Sequence, residues 1–187
     1  AGGDDVYRGR IGGAMGELGH PYSLVIDLSG DDYYDAGGLD VSHGAGFLGI
    51  GILIDRGGDD VYRSGNYSQG SGYFGIGILA DHGGADDRRG GYFMQGAGHC
   101  GVGILIDDGD ETSDDRYLAS CWSQGFASTF GYGLLYDDGG DDTYKAGGVF
   151  YHAPLLPNDY RSFSAGFGMG WRPRAGGGIG VLYDKGD

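Results

Sequence analysis

Short stretches in which hydrophobic residues alternate with small or polar ones recur along the chain. In GIGILID, which ends at Asp55, the three isoleucines fall on one face of an extended strand, and the glycines, Leu53 and Asp55 fall on the other. The pattern returns in GIGILAD, GVGILID, GYGLLYD and GIGVLYD, and no stretch has the periodicity of an amphipathic helix. We therefore predict strands whose isoleucine face is the buried stripe and whose flat glycine face allows a close approach to the backbone.

These strands belong to a repeat of 27 or 28 residues in which four features keep their order. A Gln or His precedes the glycine-rich strand, an aspartate ends that strand, an aspartate pair follows, and a tyrosine comes two residues after the pair. In the third repeat, Arg89 takes the place of the tyrosine. The second aspartate of each pair is assigned to Asp5, Asp32, Asp60, Asp87, Asp115 and Asp142. Such internal repetition is the signature of a repeat architecture.

The order of strands and turns within each repeat predicts an all-β fold, a β-solenoid (parallel β-helix) with coils of about 27–28 residues. The alternative is an antiparallel β-meander, in which DRGGDD is a hairpin turn between ILI and VYR. Residues 1–187 are expected to form a single repeat-array domain excised from a longer array, because the chain begins and ends inside a repeat. Residues 146–177 are predicted to be an insertion between coils.

The turn after each glycine-rich strand is rich in aspartate. In DRGGDD, Gly57 and Gly58 suit the positive φ of a tight turn. The aspartates of such a turn can accept hydrogen bonds from nearby backbone N–H groups. Stacked coils would also bring equivalent carboxylates to about 4.8 Å from one another, a spacing at which ionised groups repel. Calcium, which binds about six to eight oxygen atoms, would neutralise them.

Both roles, calcium binding and turn formation, are expected, each in different turns. The acidic turn DDGDETSDD, residues 107–115, holds the most carboxylates and is the best single candidate. The candidate calcium ligands are Asp27, Asp31, Asp32, Asp55, Asp59, Asp60, Asp81, Asp87, Asp107, Asp110, Asp114, Asp115, Asp137, Asp141 and Asp142.

Two turn motifs, GGDDVYRSG at 57–65 and GGDDTYKAG at 139–147, resemble the glycine- and aspartate-rich calcium-binding repeats of secreted bacterial proteins, the RTX-type β-roll. That resemblance implies calcium binding, secretion and folding outside the cell, and therefore an extracellular or cell-envelope location. The whole repeat also resembles glycine-rich repeat arrays of uncharacterised bacterial proteins, a resemblance that implies no activity.

Composition narrows the range of partners. The chain has 187 residues, 45 of them glycine, and a net charge of −15, and all but two of its 27 acidic residues are aspartates. A field of this sign argues against a nucleic-acid partner. No apolar run is long enough to cross a bilayer, so no transmembrane segment is expected. Cys100 and Cys121 are too few for a disulfide framework and are expected to be small buried residues.

Two further columns have candidate roles. His43, Gln69, Gln95 and Gln124 stand at equivalent repeat positions and are expected to form a side-chain amide ladder inside the solenoid, with a row of ligand contacts as the alternative. The aromatic residues two positions before the glutamines are expected to be core or a stacked column, and the alternative is a sugar-binding stripe. These aromatic residues are Tyr67, Phe93 and Trp122.

The predicted insertion gathers polar and basic groups in an otherwise acidic chain. Loops that leave a rigid scaffold in this way commonly carry function. The insertion is a candidate for a partner-docking loop, a carbohydrate site or a cap over the core. Its candidate residues are His152, Asp159, Tyr160, Arg161, Arg172 and Arg174.

The expected function is therefore a non-enzymatic, calcium-stabilised solenoid that acts as an extracellular scaffold, adhesion or protein-interaction module. Its expected partners are other repeats of the same chain and a protein or carbohydrate surface. One alternative is a carbohydrate-active enzyme, because an acidic β-helix with calcium and an arginine resembles the polysaccharide lyases at the level of the fold. Another is an ice- or surface-binding solenoid, although regular threonine rows are missing.

Overall fold

The computed structural model describes residues 2–109, 112–148, 162–170 and 176–186. Their secondary structure consists of short strands and one 3-10 helix, Gly16–Leu18. The strands are β1 (Val6–Arg8), β2 (Ala14–Met15), β3 (Tyr22–Ile26), β4 (Tyr33–Asp35), β5 (Gly46–Phe47), β6 (Ile50–Ile54), β7 (Val61–Arg63), β8 (Gly72–Tyr73), β9 (Ile76–Asp81), β10 (Asp87–Arg89), β11 (Gly98–His99), β12 (Val102–Asp107), β13 (Arg116–Ala119), β14 (Ala127–Ser128), β15 (Tyr132–Asp137), β16 (Thr143–Ala146), β17 (Gly168–Met169) and β18 (Ile179–Asp184).

The strands form three six-stranded sheets, and each sheet takes every third strand of the chain. Wall A contains β1, β4, β7, β10, β13 and β16; wall B contains β2, β5, β8, β11, β14 and β17; and wall C contains β3, β6, β9, β12, β15 and β18. Every pairing between consecutive coils is parallel. The predicted β-solenoid is therefore confirmed, and the antiparallel meander is wrong.

The register of the third coil corrects the repeat alignment. Asp87 pairs with Val61 and Arg88 pairs with Tyr62, so Arg88 rather than Arg89 stands in the tyrosine column. The aspartate that stacks on Asp60 is accordingly Asp86, not Asp87. The prediction was off by one residue because the third turn places its two adjacent aspartates one position later than the other turns do. In a strand, this shift moves every side chain to the opposite face.

Wall C also corrects the prediction of which strand face is buried. Leu53, with its equivalents Leu79, Leu105 and Leu135, is fully buried, whereas the isoleucines face outward and are half-buried. The reason is lack of space, because a methyl group added at Gly51 would overlap the carbonyl oxygen of Ala45 in the opposite wall. The same overlap recurs at the equivalent glycines Gly77, Gly103 and Gly133. The close approach at the glycine face is thus confirmed, and walls B and C meet there.

A column of stacked tyrosines completes the core on the inner side of wall A. The ring centroids of Tyr34 and Tyr62 lie 4.7 Å apart with parallel planes, and Tyr117 and Tyr144 stack at 4.9 Å. Between these pairs the guanidinium of Arg88 lies 5.3 Å from the Tyr62 ring and 5.2 Å from the Tyr117 ring. The column therefore stays continuous where the tyrosine is missing, because the planar guanidinium replaces a ring.

Part of the predicted insertion continues the coil. Strand β17 pairs with β14 through Gly168 and Ala127, and the backbone N–H of Trp122 donates to the carbonyl of Ser162. Residues 162–170 therefore occupy a regular coil position.

None of the described residues belongs to a helix with the length and apolarity that a bilayer crossing requires.

Candidate functional site: the internal aspartate column

The aspartates that end the wall C strands turn their side chains into the solenoid. Their carboxylates take part in the turn that follows, as the N–H of Gly57 donates to Oδ1 of Asp55 at 3.1 Å and the N–H of Ser29 donates to Oδ1 of Asp27 at 3.1 Å. These are Asx turns, one of the two roles expected of the turn aspartates. The fully buried members of this set, called the strand-end aspartates below, are Asp27, Asp55, Asp81, Asp107 and Asp137.

A second row of aspartates stacks beside them and binds consecutive coils together. The backbone N–H of Asp32 donates to Oδ1 of Asp60 in the next coil at 2.6 Å, and the same bond is made at every step. We call this row the inner ladder. Its members are Asp5, Asp32, Asp60, Asp86, Asp115 and Asp142. From Asp32 onward, each carboxylate thus accepts a bond from a backbone N–H of the preceding coil.

The first aspartate of each pair forms an outer ladder at the surface. The backbone N–H of Asp59 donates to Oδ1 of Asp31 at 2.9 Å, and the N–H of Asp141 donates to Oδ1 of Asp114 at 2.9 Å. These four side chains are exposed, so water can solvate their charges. In the third coil, Ala85 takes this position and its N–H donates to Asp59 at 2.9 Å.

The tyrosine column supplies hydroxyl donors to the strand-end aspartates. The hydroxyl of Tyr62 donates to Oδ2 of Asp81 at 2.7 Å, and that of Tyr144 donates to Asp137 at 2.7 Å. Tyr117 likewise donates to Asp107 at 2.8 Å. Further bonds of this kind join Tyr7 to Asp27 and Tyr34 to Asp55.

The strand-end aspartates and the inner ladder meet in five groups of three. In each group, carboxylate oxygens from the three residues lie within 4.8 Å of one another. Because calcium binds oxygen at about 2.3–2.6 Å, oxygens with this separation can lie on opposite sides of one ion. The groups are Asp5–Asp27–Asp32, Asp32–Asp55–Asp60, Asp60–Asp81–Asp86, Asp86–Asp107–Asp115 and Asp115–Asp137–Asp142.

The strand-end aspartates and the inner ladder together form the aspartate column. Arg88 lies at its centre and is fully buried. Its guanidinium contacts Asp81 at 2.7 Å and Asp107 at 2.5 Å, it pairs with Asp86, and it lies 3.6 Å from Asp115. The chain therefore provides its own cation for the third and fourth groups. Sequence reasoning missed this residue, although a signal was present: Arg88 follows Asp81 by seven residues, as Tyr62 follows Asp55.

Away from Arg88, carboxyl groups of neighbouring aspartates also face each other directly. Asp60 lies within hydrogen-bonding distance of Asp55, and Asp142 lies within that distance of Asp137. Two ionised carboxylates cannot bond to each other, so each pair needs a shared proton or a cation. Among the described residues, three buried oxygens of the C-terminal group have no hydrogen-bond partner: Oδ1 of Asp137, Oδ2 of Asp115 and Oδ2 of Asp142. Oδ1 of Asp81 and Oδ1 of Asp107, near Arg88, also have none.

Burial changes the protonation of the column. Loss of hydration, with neighbouring carboxylates adding to it, raises the pKa of Asp60 to about 9 and that of Asp137 to about 7. Loss of hydration also raises the pKa of Asp115 to about 9, although Arg88 opposes the shift. In Asp32 the same cause raises the pKa to about 6. In the absence of a cation, the column therefore holds protons near neutral pH.

A cavity of about 310 Å³ opens at the C-terminal end of the column. Its lining residues are Gly140, Asp141, Asp142, Asp184 and Gly186. The cavity gives solvent a route to the inner ladder at Asp142. An ion could therefore reach the last group of the column without crossing the core.

The other predicted site residues lie elsewhere. Asp87 projects from the outer face of wall A, where it pairs with Arg63 at 3.0 Å and with Arg89 at 2.5 Å, and it does not belong to any of the five groups. Asp31, Asp59, Asp114 and Asp141 belong to the outer ladder. Asp110 and the insertion candidates His152, Asp159, Tyr160, Arg161, Arg172 and Arg174 lie outside the described residues.

The buried glutamine column bonds to wall A and not along itself. The side-chain amide of Gln95 donates to the carbonyl of Arg88 at 3.2 Å, and that of Gln124 donates to the carbonyl of Tyr117 at 3.2 Å. Gln69 donates instead to the carbonyl of Arg89 in the next coil at 3.1 Å and to the hydroxyl of Ser64 at 3.1 Å. The expected amide ladder is therefore wrong for the side-chain N–H groups of these glutamines, because each donates to a backbone carbonyl across the interior.

The aromatic residues near the glutamines form a separate cluster beside wall B. Phe93 is 5 % exposed and packs against Tyr67 and Phe126 at ring distances of 5.3 and 5.9 Å. Tyr67 and Trp122 are half-buried against the same cluster. The expectation that these aromatic residues contribute to the core is confirmed for Phe93.

Comparison of the chain with protein-family models, with curated proteins and with solved structures found no match, so its function is inferred from the geometry above.

Proposed function

We propose that this chain is a non-enzymatic scaffold or interaction module of the extracellular space or cell envelope, a β-solenoid whose aspartate column is stabilised by calcium. The observation that carries the proposal is the set of facing carboxyl pairs along the column, which require a proton or a cation. Arg88 supports it, because the chain itself provides a cation where four of these carboxylates meet.

The C-terminal group has the donor chemistry that calcium prefers. Asp115, Asp137 and Asp142 would hold the ion through carboxylate oxygens, three of which have no other partner. Hard oxygen ligands with irregular geometry suit calcium better than magnesium, which demands a near-octahedral site. When bound, calcium would supply charge neutralisation. The residues of the chain would supply the cross-link, since these three aspartates belong to consecutive coils and turns.

The same chemistry supports a scaffold role over a catalytic one. The buried carboxylates accept hydrogen bonds from backbone N–H groups and tyrosine hydroxyls of the solenoid itself, and they face its interior. A general acid or base must instead reach a substrate.

Thermal unfolding of the chain tests the proposal, with EDTA compared against about 1 mM free calcium and the same concentration of magnesium. An ion that binds only the folded state stabilises it by about 2.7 kcal/mol when its free concentration is ~100 times Kd. We expect a calcium-specific rise in Tm, which Asp137→Asn reduces.

Asp59→Asn is the matched control, because Asp59 is exposed on the outer ladder and does not line the C-terminal cavity, so the calcium response should be unchanged. An equal Tm in EDTA and calcium would contradict the calcium proposal and leave the aspartates as turn formers that share protons. An equal rise with magnesium would point to charge screening rather than to a site.

A further inference from the structure

The outer face of wall C is a second feature that the aspartate column does not explain. Its outward positions form three columns across the six strands, and none of the side chains is charged. We call this surface the apolar face. The columns are Tyr22, Ile50, Ile76, Val102, Tyr132 and Ile179; Leu24, Ile52, Ile78, Ile104, Leu134 and Val181; and Ile26, Ile54, Ala80, Ile106, Tyr136 and Tyr183.

All of these side chains are accessible to solvent to some degree. Ile76, in the middle of the stack, is 37 % exposed, and Leu24 and Ile179 near the ends are 61 % and 65 % exposed. The edge of the face where the strands begin is apolar too, with Phe74 and Phe130 exposed by 48 % and 72 %. Parallel sheets are usually covered on both faces, and none of the described residues covers the outer side of this one.

The size of the apolar face matches a dimer interface. Six strands at about 4.8 Å and five residues at about 3.3 Å give a flat area of roughly 480 Å². Two copies would therefore bury roughly 950 Å² before the relief of the side chains is counted, close to the lower limit of ~1,000 Å² for a biological interface.

The distribution of charge favours a second copy of the chain as the partner of the apolar face. The chain carries a net charge of −15, and wall A presents Arg63, Asp87 and Arg116 outward. A charged partner would find nothing to pair with on the apolar face. A second copy of the chain can bury this face without burying any ionised group.

The edges of the apolar face indicate how the two copies are oriented relative to each other. The strands of wall C run toward the acidic turns and away from the uncharged edge at Phe74 and Phe130. A two-fold axis parallel to the solenoid axis sets the strands of the two copies antiparallel. Each acidic edge then lies over the uncharged edge of the other copy, so like charges are kept apart.

We propose that two copies of the chain associate through their apolar faces, packed like the two sheets of a sandwich about 10 Å apart. The interface is isologous, with the same residues contributed by both copies. It does not depend on calcium, so its failure and the failure of the proposed function can be told apart.

Sedimentation equilibrium over micromolar concentrations tests this, in EDTA and in calcium. We expect a dimer for the wild-type chain and a monomer for the double variant Ile78→Lys/Ile104→Lys, whose side chains point outward at the centre of the face. The matched control is Val61→Lys/Leu118→Lys, which places the same charges on the outer face of wall A and should remain a dimer.

A wild-type monomer at all concentrations, or a dimer that persists in the lysine variant, would overturn the proposal. Monomeric wild type that binds phosphatidylcholine vesicles, with binding lost in the lysine variant, would overturn it in favour of a lipid surface. If the lysine variant fails to fold by circular dichroism, Ile78→Thr/Ile104→Thr replaces it, since threonine keeps the preference for strands. It should weaken the dimer at least about tenfold.

Discussion

The charge of the buried carboxylates in the aspartate column is neutralised differently in two regions. Around Arg88, four buried carboxylates share a guanidinium that belongs to the chain. At the C-terminal group, only Asp115 approaches Arg88, at 3.6 Å, and among the described residues Asp137 and Asp142 pair with no basic side chain. The backbone and the ladder of N–H bonds are the same in both regions, so the difference lies in the source of positive charge.

The comparison shows what a repeat fold demands and what it leaves open. Stacking fixes the spacing of the carboxylates, and burial fixes the cost of ionising them. The neutralising group is not fixed, and it can be a proton, a guanidinium or, as proposed, calcium. The fixed positive charge should make Asp81, Asp86 and Asp107 less dependent on solution conditions. Asp60, Asp115 and Asp137, whose pKa values are raised, should respond to pH and to cations.

Removing the fixed charge should have the largest effect. Arg88→Ala leaves Asp81, Asp86 and Asp107 buried without their cation, and loss of one partner of a buried ion pair typically costs about 3–5 kcal/mol. We expect the free energy of unfolding in urea at pH 7 to fall by about that amount. A loss below about 1 kcal/mol would mean that protons already neutralise the centre.

Arg63→Ala is the control, because Arg63 and Asp87 form a partly exposed pair, with 29 % and 25 % of each side chain exposed, and such pairs contribute about 0–1 kcal/mol. Arg88→Tyr sharpens the contrast, since it restores the ring stack and removes the charge. In calcium, Arg88→Tyr should regain more stability than Arg88→Ala, because alanine lacks both the aromatic ring and the hydroxyl group as a ligand.

The response to pH should come next in size. In the folded state, the pKa values of Asp60 and Asp115 are raised to about 9, against about 3.9 in an unfolded chain. The folded state therefore binds more protons between these values. The stability from these groups is fully present below about pH 4 and is lost as pH rises through about 9.

We expect the Tm in EDTA to fall between pH 7 and pH 9, because the free energy of unfolding drops by roughly 1 kcal/mol per pH unit for each carboxyl that stays protonated in the folded state. Over this range His43 does not interfere, because burial lowers its pKa to about 3 and an unfolded histidine titrates near 6.5. Asp115→Asn should flatten the slope. A Tm that rises with pH in this window would refute protonation of the column.

Much of the architecture could be predicted from the sequence, because the repeat period and the strand-end aspartates are visible in the single chain. The buried face of wall C could not, since Leu53 and the isoleucines at Ile52 and Ile54 alternate with equal regularity. The choice depends on the distance to wall B, where Gly51 nearly touches Ala45, and that distance is a property of the closed coil.

Arg88 was missed for a related reason. Adjacent aspartates at Asp86 and Asp87 made the pair the natural anchor for alignment, and the pair is offset by one residue there. The groups of three aspartates could be predicted only in part, because the sequence identifies the two rows but does not indicate which members meet across the interior.

The outer ladder should show the smallest effect, and it completes the comparison of buried and exposed carboxylates. Asp59→Ala removes an acceptor for the N–H of Ala85 at the surface, where water can replace it. We expect the free energy of unfolding to change by less than about 1 kcal/mol, because the third coil already carries Ala85 at this position. Asp60→Ala, one residue away, leaves the buried N–H of Asp32 without its acceptor and should cost more, about 1–3 kcal/mol. Urea unfolding of the two variants at pH 7 measures the difference, and equal losses would mean that burial does not distinguish the two ladders.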